Sequence, residues 1–147
     1  MSDELLAAVR DGWGWTGIDP IRITAVSRFG HLVIEDREHR FWYLDQEAHE
    51  LSLVAEGLDD LARHFEQDDV REVWEARALV NAALARLGEP GSGRCYTLTP
   101  HALLSGDFST ENLITLPVAE LTRFTGSLEQ QTRDLPDGSP VRLKVVD

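Results

Sequence analysis

Five histidines, at positions 31, 39, 49, 64 and 101, and one cysteine, Cys95, are the side chains most able to hold a transition metal or act as nucleophiles. No two histidines stand at the i, i+4 or short-gap spacing of a structural zinc site, and one thiol completes no cysteine set. Asp45, Glu47 and His49 alternate, so on an extended chain they would share one face and could set two carboxylates and an imidazole about an ion. Three polar residues at period two are also the ordinary wet side of a sheet, and on that ground neither a metal nor a cofactor is assigned. Gly91-Ser92-Gly93 is the nearest approach to a nucleophile elbow, but it lacks the Gly-x-Ser-x-Gly frame and follows a helical pattern. No Gly-Lys-Ser/Thr follows those glycines to hold a phosphate. Carboxylates are so numerous that finding a pair for acid–base work discriminates nothing. The chain offers no catalytic set, and it reads as a protein that is not an enzyme.

What the carboxylates do carry is a field. The formal net charge is −12, and the stretch from Glu35 to Glu75 holds 14 acids against four arginines. Nucleic acid and anionic membranes are gripped by clusters of Lys and Arg, whereas the only lysine here is Lys144. Both partners are disfavoured. A concentrated negative segment suits a basic protein, which it would steer into contact. Its plainer role is to face water and keep the molecule soluble.

The elements that must position these groups follow from periodicity. With 147 residues, 42% hydrophobic, the chain suffices for one domain, taken as residues 1–147. Residues 2–9 read as a short amphipathic helix broken by Gly12, Gly14 and Gly17, with Trp13 and Trp15 between the glycines. Alternation over 21–26, 31–35, 41–44 and 51–55, with short turns between, predicts an antiparallel meander. Asp59 or Asp60 is expected to cap a short helix through Phe65. Asp69 and Glu72 fit a capping box for one helix running from Val70 to Leu87, with Trp74 in the core and Gly88 and Pro90 at its end. Strands at 95–98 and 112–116 follow, then a helix after Pro117 with Val118, Leu121, Phe124, Thr125 and Leu128 inward. The turn Leu135-Pro136-Asp137-Gly138 leads to a last strand at 141–146. The expected fold class is α+β: an antiparallel β-meander packed with helices, its C-terminal helix and strand returning to the sheet. The N-terminal stretch has no basic region followed by a long apolar run, and no window is apolar enough to span a bilayer, so a cytoplasmic protein is expected.

Gly93, Cys95 and Tyr96 opening a strand, the loop Leu104-Ser105-Gly106-Asp107-Phe108, Asn112-Leu113, then Gly126, Gln131 and the turn 135–138 form an ordered set. Phe29-Gly30 and the aromatic run Phe41-Trp42-Tyr43-Leu44 precede it. The set, taken over nearly the whole chain, resembles the C-terminal domain family of type VI secretion immunity proteins that protect against DNase effectors. The resemblance implies an immunity protein that binds and inhibits a cognate toxin by covering its active site or substrate groove. An orphan structural or regulatory interaction module without a toxin is the alternative. The candidate partner-binding residues are Glu35, Asp36, Glu38, Asp45, Glu47, Asp59 and Asp60. Gly126, costly within a helix, is expected to permit close packing against the loop at 105–108.

Overall fold

The computed structural model describes residues 2–105 and 109–133. Helix α1 spans Ser2–Trp13 and continues as a 3-10 turn, Gly14–Thr16. The meander follows as β1 (Pro20–Val26), β2 (Leu32–Asp36), β3 (Phe41–Asp45) and β4 (Glu50–Ala55), antiparallel in the order β1-β2-β3-β4. Helices α2 (Leu58–His64), α3 (Asp68–Glu75) and α4 (Arg77–Leu87) lead to a second antiparallel pair, β5 (Arg94–Leu98) and β6 (Leu113–Pro117). Helix α5 (Pro100–Ser105) lies between those two strands, and α6 (Val118–Thr132) follows them. The fold is α+β, with the meander where alternation placed it. The expected strand at 141–146 and its turn lie outside the described residues.

Register explains why β2 can be buried at all five positions although β1 beside it alternates. Side chains on a strand point to opposite faces in turn, and β2 has cover on both. Leu32 and Ile34 pair across β3 with Leu44 and Trp42 and join Leu5, Ala8, Val9 and Trp13 of α1 and Leu121 of α6 in the main core. Val33 faces the other way, in a smaller cluster with Phe41, Ala55 and Leu61, edged by Tyr43, Phe65 and Trp74.

Several expectations about the helices are corrected. Gly12 does not end α1; the helix runs through it because α6 crosses there. A Cβ on Gly12 would stand 2.7 Å from the Thr122 carbonyl, and one on Gly126 would collide with the Gly12 backbone. The close neighbour of Gly126 is therefore α1 rather than the loop near Ser105, and Trp15 Nε1 seals the crossing by donating to the carbonyls of Gly12 (2.8 Å) and Gly126 (3.2 Å). The single helix expected from Val70 to Leu87 is two, because Ala76 sits in the left-handed region at φ 44. Such a conformation costs a non-glycine residue about 1–2 kcal/mol and redirects the chain between α3 and α4. Neither α2 nor α3 has a side-chain cap: Gly57 and Gln67 hold the cap positions. Trp74 is half-buried at the rim of the smaller core.

Candidate functional site

Pairing of Leu32 with Leu44 sets the residue before β2 opposite the last residue of β3, so His31 meets Asp45. The turn after β3 then brings Glu47 to the same place. His31 is 3% exposed, with Nδ1 2.6 Å from the Tyr43 hydroxyl and Nε2 2.5 Å from Glu47 Oε2. Asp45 Oδ1 lies 3.5 Å from the same Nε2. That oxygen also accepts the backbone N–H groups of Glu47 and Ala48, both at 3.0 Å, which fixes the turn.

Gln46, between the two acids, is fully buried and points the opposite way. Its Nε2 donates to the Gly30 carbonyl (3.0 Å) and to Thr122 Oγ1 (2.9 Å), and its Oε1 accepts from Thr125 Oγ1 at 2.6 Å. A buried amide so matched fixes its backbone, because each unmatched polar group would carry a desolvation cost. Asp45 and Glu47 are thereby anchored to α6 and to the turn preceding His31.

These three residues stand in an open groove of about 820 Å³ whose other wall is the α3–α4 junction, including Asp68, Arg71, Glu72, Glu75 and Arg77. Five carboxylates line it against two guanidiniums, a net −3 with His31 neutral. Arg71 pairs with Asp68 at 2.5 Å and Arg77 with Glu75 at 2.8 Å. The negative excess thus centres on Asp45, Glu47 and Glu72.

The charge acts on the groups around it. Burial works against protonation of His31, but the hydrogen bond and charge of Glu47, with Asp45 beside it, outweigh burial and hold the imidazole above its ordinary value. Burial, reinforced by the same two carboxylates, pushes Tyr43 up, so its phenol keeps its proton. Cys95 is pushed up to about 12 by burial, which leaves an inert packed thiol.

Of the residues expected to contact a partner, Asp45 and Glu47 come together here and the others lie elsewhere. Glu35 is buried, bonded to Arg22 (3.1 Å) and His39 (2.7 Å). Asp36 is buried and ties the β2–β3 turn, with Oδ1 accepting the N–H groups of Glu38 and Arg40 and Oδ2 the Trp42 indole N–H, each at 2.9 Å. Burial raises its carboxyl, but these bonds and the Arg40 guanidinium prevail and keep it below the ordinary value. Glu38 is exposed and pairs with Arg40. Asp59 and Asp60 open α2, where Asp60 accepts the Glu56 N–H at 3.0 Å and pairs with Arg63.

The alternation of Asp45, Glu47 and His49 suggested one trio; the fold assembles another, with His31 in place of His49. His49 has a positive φ of 52 and stays outside the cluster, and its Nε2 is enclosed without a hydrogen-bond partner among the described residues. The signal that finds His31 is hairpin register, since pairing the apolar runs 32–35 and 41–44 in antiparallel sets residues 31 and 45 side by side.

The family model described as T6SS immunity protein Tdi1, C-terminal, matches residues 55–129, about half of the chain. The match begins after β3, so it is narrower than the resemblance expected over nearly the whole chain, and of the groove it includes only the α3–α4 wall. Among solved structures, the crystal structure of Atu4351 from Agrobacterium tumefaciens is similar with a TM-score of 0.58 at 15% identity, over 85% of this chain and 63% of that one. That likeness is one of fold, and the chain spans less than two thirds of its length. No curated protein matches.

Proposed function

Since the chain belongs to the C-terminal family of the type VI secretion immunity protein Tdi1, we propose that it binds a cognate bacterial toxin and blocks it by covering the active site or substrate groove. It does so in the cytoplasm, without transforming a substrate. The observation that carries this reading is the groove between the β3–β4 turn and the α3–α4 junction, with five carboxylates against two guanidiniums on an anchored frame. A nuclease effector that grips phosphates has a basic cleft, and carboxylates presented in fixed positions can stand in for phosphate oxygens there. Close interfacial charge pairs of this kind couple by about 1.5–7 kcal/mol. The exposed acids Glu38 and Asp59 extend the field and steer the encounter.

The test mixes the purified protein with the toxin encoded beside its gene and measures affinity at low and high salt. Affinity is expected to fall with salt, and Glu72→Lys to weaken the complex about tenfold or more. A complex indifferent to both salt and Glu72→Lys rules out the groove as the contact.

A further inference from the structure

We propose that His31, Asp45 and Glu47 form a binding site for a divalent transition metal ion such as Zn²⁺ at the floor of the acidic groove. The site stands on its own geometry, and an ion held there offsets the Asp45 and Glu47 charges that the proposed toxin contact also uses.

Three donors converge: one ligand atom each from His31, Asp45 and Glu47 lies within 4.8 Å of the other two. An ion held at about 2.0–2.2 Å from each ligand in a tetrahedral site separates them by about 3.3–3.5 Å. The distance from His31 Nε2 to Asp45 Oδ1 is already 3.5 Å. Glu47 Oε2, at 2.5 Å, makes a hydrogen bond to the same nitrogen. An ion replaces that shared proton once the Glu47 side chain swings outward by about 0.8–1 Å, and the groove leaves it room.

The surroundings favour a ligand role for His31. A metal-bound imidazole usually donates its second ring N–H to an oxygen, which fixes the tautomer and the ring plane. Here Nδ1 faces the Tyr43 hydroxyl at 2.6 Å, an oxygen that can accept the ring N–H. Asp45 is oriented by the N–H groups of Glu47 and Ala48, and both carboxylates flank the fully buried Gln46. The three ligands are thus supported from behind, while the front opens to the groove. Three protein ligands with one open position, filled by water, match the coordination of accessible zinc sites. One imidazole and two carboxylates without a thiolate also admit Mn²⁺ more weakly, by the general order of divalent affinities.

Two other arrangements are weaker. The His39–Glu35 pair brings one imidazole, 75% exposed, and one carboxylate. The exposed apolar side chains Val73, Leu84 and Leu87 on α3 and α4 have nothing that says what would cover them.

The experiment uses the full chain without a histidine tag, stripped with chelator and titrated calorimetrically with Zn²⁺, Mn²⁺ and Mg²⁺ at neutral pH. Zn²⁺ is expected to bind one ion per chain, Mn²⁺ more weakly, and Mg²⁺ without measurable heat. His31→Gln, Asp45→Asn and Glu47→Gln each lower Zn²⁺ affinity about 10–100-fold or more, whereas Asp36→Asn leaves it unchanged. Because His31 is buried and its replacement can disturb folding, the two carboxylate variants, checked by circular dichroism, decide the matter. X-ray absorption of the loaded protein should show nitrogen and oxygen neighbours at about 2.0–2.2 Å and no sulfur. A wild-type chain that binds no stoichiometric Zn²⁺, or carboxylate variants that bind it as tightly as the wild type, overturns the proposal and leaves the cluster as an imidazole–carboxylate ion pair.

Discussion

At one end of β3 Asp36 accepts the backbone N–H groups of Glu38 and Arg40, and at the other Asp45 accepts those of Glu47 and Ala48. Each turn also carries a histidine with positive φ, His39 at 63 and His49 at 52. The local devices are alike; their surroundings are not. At the first turn the second carboxylate oxygen is met by Trp42 Nε1 and Arg40 Nε, at 2.9 and 3.0 Å, so the charge is consumed in holding the fold. At the second turn the structural anchoring has passed to Gln46, which bonds inward to Gly30, Thr122 and Thr125. Asp45 and Glu47 keep their charge for the groove. Moving the anchor from an acid to its neutral neighbour leaves carboxylate charge facing the groove.

The contrast can be broken at the anchor first. Gln46→Ala strands the Gly30 carbonyl and leaves a void, at a cost of about 3 kcal/mol, or roughly 6–12 °C in Tm for a chain of this size; thermal melts with chemical denaturation check it. Asp36→Asn comes next, at about 1–3 kcal/mol, because its new NH₂ group would confront donors from Trp42 and Arg40. Its pH dependence has a definite sign. With the folded carboxyl below its unfolded value, the contribution is complete above the unfolded value of about 3.9 and is lost as pH falls through the lower folded one. Acid titrations of stability should therefore show wild type and Asp36→Asn converging at the acid end. The smallest effect is expected for Asp45→Asn, within about 0.5 kcal/mol, since the amide oxygen still accepts both N–H groups. Should Asp45→Asn prove as costly as Asp36→Asn, the second turn is structural as well and the contrast fails.

Local pattern shows the first turn more readily than the second. Period-two alternation located all four meander strands within a residue or so, because each strand that alternates has one covered face and one wetter one. The break at Ala76 carries no glycine or proline to announce it; its only trace is the lack of a large apolar side chain between Trp74 and Leu79. Gly12 read as a helix breaker because the residue that needs its missing side chain, Gly126, is far away in sequence. His31 was missed as a neighbour of Asp45 for a related reason: alternation along one segment links 45, 47 and 49, while the partner comes from the strand alongside. The acidic segment from 35 to 75 was plain in composition, yet it divides among three places, and composition does not say which acids the fold consumes.

The crossing of α1 and α6 at two glycines has a consequence in time. Residue 12 cannot settle against residue 126 until the ribosome has added the next 114 residues, which takes roughly 6–23 s at bacterial elongation speeds. Through that interval the apolar stripe of α1 lacks its later partner. The finished molecule depends on a loop closure of long sequence separation, a topology that slows folding. Under the proposed role, protection comes from copies already complete when a toxin arrives, so a cell relying on it has to keep a stock in hand.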